Sequence, residues 1–290
     1  MTIFRFSSAS ATNARRSSAS LQMNTLFDLP TSNPQHPAKY TDALLSAFVK
    51  MLNGCNKILD PFGGTGKVFL LNRWYPSAEI HAVEIEPEWA KIHPKTTLGN
   101  ALALPWQDNY FDGICTSPTY GNRMADHDEG TIALGWEYRR TYAAALQKKL
   151  HPDNSGAMQW GNAYKEFHTK AWQEATRVLK VGGVFVLNIK NHIRAGVEQP
   201  VTEWHIETLL SLGYEVIEHN KINTPSMRFG QNAGLRVEYE SVVKLVLRSE
   251  RTRTPHAVDS WESPAQKAEF QPEVLSAKVV EQTPAQLPLM

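Results

Sequence analysis

ILDPFGGTGKV, residues 58–68, carries an apolar run into a turn that holds Gly63, Gly64 and Gly66, and the spacing of that turn decides the fold. A phosphate-binding P-loop, G-x-x-x-x-G-K-[ST], would need glycine at Pro61 and serine or threonine at Val68, so the chain departs from it twice. A dinucleotide-binding G-x-G-x-x-G counted from Gly64 and Gly66 would place its third glycine at Phe69. What remains is F-x-G-x-G, Phe62 to Gly66, led by Asp60-Pro61. Missing side chains there let the backbone approach a small ligand closely.

Outward from this turn, strands alternate with helices. KILD (57–60) reads as the strand that enters the turn, and a helix follows over VFLLNRW. EIHAVEI (79–85) is the next strand and PEWAKIH (87–93) the next helix; YFDGICTS (110–117) is a further strand. YKEFHTKAWQEATRVLK (164–180) reads as a helix broken by VGG, before a strong strand at VFVLNIK (184–190). PVTEWHIETLLSLGY (200–214) has Pro200 near the start and Gly213 at the end of a helix. YEVIEHNKI and EYESVVKLVLR close the domain as two strands. Ahead of the glycine turn, residues 41–52 put Leu44, Leu45, Phe48, Val49 and Leu52 on one helical stripe. Such alternation predicts a mostly parallel sheet with helices on both faces, and the last two strands predict an antiparallel hairpin. Ligands bind such sheets at the carboxyl ends of strands, where the strand order reverses. Both the glycine turn and Ser117-Pro118-Thr119-Tyr120 fall at such ends.

Composition narrows the class. The 290 residues are 42% hydrophobic and 20% charged, which suits a soluble globular chain with a real core. A net charge of +1 gives no global basic field, so any nucleic-acid surface must be local. Two cysteines, Cys55 and Cys115, exclude a disulfide framework or a cysteine-rich zinc site, and Cys115 reads as a small buried hydrophobe. No apolar run approaches the roughly 18 residues that span a bilayer, so no membrane partner and a cytoplasmic location are expected. The segment before Asp28 is rich in Ser and Ala with Arg5, Arg15 and Arg16. That is the composition of a transit peptide or of a disordered tail. The reading taken is a disordered tail over 1–34, a folded domain over 35–248, and a Pro-, Gln- and Glu-rich disordered tail over 249–290.

Asp60-Pro61-Phe62-Gly63-Gly64-Thr65-Gly66 resembles motif I of class I S-adenosylmethionine (SAM)-dependent methyltransferases, and D-P-F-x-G-x-G particularly resembles the amino-methylating DNA enzymes. The resemblance implies a Rossmann-like α/β fold: a seven-stranded, mostly parallel sheet with a C-terminal antiparallel hairpin and helices on both faces. It also implies SAM as cofactor. Gly63, Gly64 and Gly66 would admit the ligand, with Pro61 and Phe62 beside them, and Asp60 would help hold its ammonium group. Glu84, ending the second strand, would accept hydrogen bonds from both ribose hydroxyls, while Glu86 would cap the helix starting at Pro87. Asn100 and Ala101 stand where these enzymes usually carry an acidic residue near the adenine amine; the Asn100 amide can still bond the adenine edge. His36-Pro37-Ala38-Lys39-Tyr40 resembles motif X, which would bring His36 and Lys39 over the methionine end.

Ser117-Pro118-Thr119-Tyr120 resembles the (D/N/S)-P-P-(Y/F/W) motif of amino-methyltransferases acting on nucleic acid, with Thr119 in place of the second proline. Adenine and cytosine amines are poor nucleophiles because the lone pair is delocalised into the ring. Hydrogen bonds to the Ser117 side chain and the Pro118 carbonyl would aim that lone pair at the methyl carbon. Tyr120 would stack on a flipped-out base. Ser117 in the first position points to cytosine N4, with adenine N6 kept open. The motif order matches the gamma arrangement, and the type resembles small phage DNA methylases. Residues 121–165 form a lid or target-contact insertion where basic residues, Arg123 among them, alternate with aromatics, a pattern suited to phosphate neutralisation and base stacking. Asn191, Arg194 and Arg236, with Arg228 and Asn232, are further candidates for contact with DNA. No metal is expected, since the reaction requires none. RNA as the substrate, and a non-catalytic scaffold that binds SAM or nucleic acid, are the alternatives; monomer and homodimer are both open.

Overall fold

The computed structural model describes residues 40–121, 142–224 and 234–248. All of these belong to one compact unit. Nine strands and five α-helices lie among the described residues. The strands are β1 Lys57–Asp60, β2 Glu79–Glu84, β3 Thr96–Leu98, β4 Phe111–Thr116, β5 Leu179–Ile189, β6 His192–Arg194, β7 Val197–Gln199, β8 Tyr214–Asn223 and β9 Tyr239–Leu247. The helices are α1 Asp42–Met51, α2 Pro87–Ala90, α3 Tyr142–Leu146, α4 Asn162–Val178 and α5 Val201–Ser211. Seven strands make one sheet in the order β3-β2-β1-β4-β5-β9-β8, and β6 and β7 pair separately. The first five of these run parallel; β9 pairs antiparallel with both β5 and β8. This is the expected Rossmann-like α/β sheet with its C-terminal hairpin.

Period-two alternation builds the two layers. Leu59, Ile114, Phe185, Leu187, Val243 and Leu245 face one core, together with Trp172, Ala175 and Val178 of α4 and Leu209 of α5. Their neighbours in sequence, Ile58, Cys115, Val186 and Val242, face the other core with Leu44, Leu45, Phe48 and Met51 of α1. Successive strand side chains point to opposite faces, so a strand buried on both sides reads as an unbroken apolar run. Cys115 is fully buried and unpaired, as its place in the run implied. Of the expected stripe, Leu44, Leu45 and Phe48 are buried on α1 together with Ala47 and Met51, Leu52 is buried at its C-cap and Val49 is half-buried. The Thr41 hydroxyl accepts from the Leu44 N–H at 3.3 Å as the N-cap.

Two local expectations change. The helix after the glycine turn is a 3₁₀ segment, Lys67–Arg73, entered through Gly66 at φ 79°. The helix expected to reach Lys180 stops at Val178, because Leu179 takes extended geometry and begins β5. The order reversal of the sheet falls between β1 and β4, whose carboxyl ends carry the two turns singled out above. Among the described residues no helix is long and apolar enough to cross a membrane, and no group of three or more metal-ligating side chains is present.

Candidate active site

Beyond the ends of β1, β2, β3 and β4 lies an open cleft. Its walls include Pro61, Phe62 and Gly64 from the glycine turn, Glu84 from the end of β2, Asn100 and Ala101 after β3, and Ser117 and Thr119 after β4. Val83, Ile85, Trp89 and Phe167 supply apolar surface, and Asp153 to Ser155 close one side. Two motifs that lie far apart in sequence thus border one space.

The three glycines divide the work. Gly64 borders the cleft, whereas a Cβ on Gly63 would sit 2.7 Å from the Ala82 Cβ, so Gly63 lets the turn pack on β2. Gly66, at φ +79°, would bring a Cβ within 2.8 Å of the His93 Cβ. Asp60 lies beneath the turn instead of on the cleft wall. Its Oδ1 accepts from the Phe62 N–H at 3.0 Å and the Thr116 hydroxyl at 2.8 Å, and burial pushes its pKa up to about 6. Its visible work is to fix the turn.

Glu84 accepts at Oε2 from the Gly64 N–H and at Oε1 from the Glu86 N–H, both at 2.8 Å. Burial raises its pKa to about 7, against the opposing effect of these backbone donors. The carboxylate has acceptor positions to spare for a ligand hydroxyl. Glu86 sits at the N-cap position of α2, yet its side chain makes no capping bond. It turns away to accept from the His151 N–H at 2.8 Å and the Asn154 Nδ2 at 2.9 Å, with the Lys148 ammonium at 3.0 Å. A buried carboxylate needs such partners, and these hold the 148–154 segment against the cleft.

The Ser-Pro-Thr-Tyr turn is held from two sides. Asn188 of β5 shares its two Nδ2 hydrogens among Glu240 Oε2 at 2.6 Å, Ser117 Oγ at 3.1 Å and Tyr120 Oη at 3.3 Å. Tyr120 also donates to Glu240 at 3.2 Å and stands 3.2 Å from the Ser117 hydroxyl. Since the Tyr120 proton goes to Glu240, the Ser117 proton points to Tyr120, and Ser117 keeps a lone pair beyond the one that Asn188 uses. On the other side, Tyr164 donates to the Thr119 carbonyl at 2.5 Å and pairs with His205 Nε2 at 2.9 Å, while Trp172 Nε1 donates to His205 Nδ1 at 2.9 Å. The indole can only donate, so Nδ1 is the acceptor, Nε2 carries the proton, and the chain runs Trp172 to His205 to Tyr164 to Thr119. Burial holds the His205 pKa well below its ordinary value, which keeps the ring neutral. Thr119, the departure from the motif, donates to the Ser155 hydroxyl at 2.9 Å and ties this turn to the 153–155 wall.

Not all expected residues gather here. Tyr120 is half-buried, with its hydroxyl held in the Glu240 network and its ring against the core, outside the cleft lining. Asn191 is buried and uses its amide within the fold: Oδ1 accepts from the Thr202 N–H at 2.8 Å, and Nδ2 donates to Glu198 at 2.9 Å and Glu203 at 3.0 Å. It caps α5, which corrects its expected role as a substrate contact. Arg194 donates to the Trp160 carbonyl and Gln159 Oε1 at 3.2 and 3.0 Å, and Arg236 is exposed ahead of β9. His36, Lys39, Arg123, Arg228 and Asn232 lie outside the described residues. Sequence reasoning missed Asp153, Tyr164, His205, Asn188 and Glu240, none of which stands in a motif.

No family model and no curated protein matches the chain. Solved structures with partial likeness include TrmN from Thermus thermophilus, at 13% identity and a TM-score of 0.44, covering 70% of this chain and 48% of that one. A SAM-dependent methyltransferase from Methanosarcina mazei has 11% identity and a TM-score of 0.45 over 70% of this chain and 98% of that one. A geranyl diphosphate methyltransferase in complex with GPP and sinefungin has 10% identity and a TM-score of 0.45 over 70% and 76%. The chain spans about half the length of the first of these. Likenesses at this level transfer neither a substrate nor a residue's role.

Proposed function

We propose that this chain is a SAM-dependent methyltransferase that modifies an exocyclic amino group in DNA, cytosine N4 or adenine N6. The observation that carries the reading is that Ser117, after β4, borders the same cleft as Gly64, Glu84 and Asn100. The cleft suits an adenosyl ligand: a backbone glycine in one wall, a buried carboxylate with acceptor capacity, a polar pair at Asn100 and Asp153, and apolar surface between them. When bound, SAM supplies an electrophilic methyl group on a sulfonium. Glu84 accepts from the ribose hydroxyls. Ser117 Oγ and the Pro118 carbonyl accept from the target amine, drawing its nitrogen toward tetrahedral geometry and freeing the lone pair for attack. The Asn188–Glu240 network holds Ser117 Oγ, and the Tyr164–His205 chain fixes the turn one residue past Pro118, at the Thr119 carbonyl.

Methyl transfer from radiolabelled SAM to unmethylated DNA, with Ser117→Ala beside the native chain, tests the reading. Label in DNA that disappears in Ser117→Ala, while S-adenosylhomocysteine (SAH) still binds that variant, is the expected result. Equal labelling by both would remove Ser117 from the reaction. Label in RNA alone would shift the substrate, and SAH binding without any transfer would favour a non-catalytic scaffold.

A further inference from the structure

Asp153 borders the cleft from a segment that joins no motif. We propose that Asp153 and Asn100 together read the Watson–Crick edge of the cofactor's adenine, with Asp153 as the specificity-determining acceptor. The inference deepens the proposed SAM site and rests on it. Asn100 Oδ1 accepts from the Leu102 N–H at 3.0 Å, which fixes the amide with Nδ2 outward, and Nδ2 donates to Asp153 Oδ2 at 2.9 Å. The second Nδ2 hydrogen and Asp153 Oδ1 have no partner among the described residues. A donor and a charged acceptor therefore stand side by side, 53 residues apart in the chain.

Adenine presents the matching pair, the N1 acceptor beside the N6 amine donor. The 6-oxo base, hypoxanthine, presents N1–H and O6 and is mismatched at both positions. An amine donating to a carboxylate makes a charge-assisted bond, stronger than one to a neutral amide. The base faces would lie against apolar wall residues such as Val83, Ile85 and Phe167.

Asp153 is also held in place before any ligand arrives. On either side of it, the His151 N–H and Asn154 Nδ2 are bound by buried Glu86, and Ser155 is tied to Thr119. Rigid positioning lowers the ordering cost of binding. The acid that the adenine pocket lacks at Asn100 is thus supplied by a separate segment, fastened to β2 and β4.

Isothermal titration of the full chain with SAH and with its 6-oxo analogue, S-inosylhomocysteine, tests this. The native chain is expected to prefer SAH by about tenfold or more, the worth of one charge-assisted bond. Asp153→Ala should bind SAH about tenfold more weakly and lose most of that preference, with thermal unfolding run on both to show an intact fold. A native chain that binds both compounds equally would overturn the Asp153 inference and leave the SAM reading standing. So would an Asp153→Ala variant with native SAH affinity and undiminished preference. A native chain that binds neither compound would overturn the SAM reading and this inference with it.

Discussion

Replacing Glu84 with Gln probes the cleft where its electrostatics are strongest. The Glu84 carboxyl is buried, and its pKa is raised to about 7. Ribose hydroxyls are best held by the ionised form, which accepts without donating. At a pKa near 7 the group is about one tenth ionised at pH 6 and about nine tenths at pH 8, so SAH should bind about tenfold more weakly at pH 6, about 1.4 kcal/mol. Below pH 7 binding should be accompanied by proton release, because the ligand selects the ionised form. Glu84→Gln removes the titration and puts an amide donor against the N–H of Gly64 or Glu86, which now face the two oxygens at 2.8 Å. Losing charged acceptance from the ribose costs about 2–3 kcal/mol, or about a hundredfold in affinity. The assay is SAH titration from pH 6 to 8 on both proteins, with unfolding curves beside them. A native affinity that stays constant across that range, together with native affinity in Glu84→Gln, would refute the assignment of Glu84 to the ribose.

Further outcomes follow from the same geometry. Asp60 and Glu84 hold their protons in the folded state up to about pH 6 and about pH 7, while the unfolded chain releases them near pH 4. At these two acids the unfolded state therefore binds fewer protons in between, so their contribution to stability is lost as pH rises from about 4 to 7. Buried His168 and His205, whose pKa values burial lowers, contribute in the opposite sense. Glu84→Gln, which cannot titrate, should therefore shift the slope of denaturant stability against pH upward over this interval relative to the native chain, and an unchanged slope would contradict the buried, protonated state of Glu84. Tyr164→Phe leaves the Thr119 carbonyl and the His205 Nε2–H without their partner; it should destabilise by about 1–3 kcal/mol and lower kcat more than it raises KM for SAM. Glu86→Ala strips the His151 N–H, Asn154 and Lys148 of their shared acceptor. Limited proteolysis should then cut between residues 148 and 157 in the variant well before the native chain.

Most of the sheet was legible because its central strands are buried on both faces and read as plain apolar runs, such as VFVLNIK. Strand β3, TTL, was not: it is three residues long and at the sheet edge, with no side chain fully buried to mark it. The glycine turn and Ser117-Pro118-Thr119-Tyr120 could be found because their chemistry is local, a few residues in fixed spacing. The Trp172–His205–Tyr164 chain and the Asn188–Glu240 network are tertiary. Their members lie on α4, α5, β5 and β9, and inside each element they pass for ordinary core or edge residues. Asn191 misled for a related reason: a polar residue beyond a strand end looks like a ligand contact until the helix that it caps is in view. Asp153 had no signal beyond its position in a polar loop, and only the fold brings it to Asn100.

The most direct test of the central claim is nucleoside mass spectrometry of unmethylated DNA incubated with the native chain and SAM carrying a trideuterated methyl group. Trideuteromethyl-deoxycytidine modified at N4, or deoxyadenosine modified at N6, is the result predicted by a Ser117 turn and a cofactor cleft that act on one amine. Unlabelled deoxynucleosides from DNA, with a chain that still binds SAH, would contradict it.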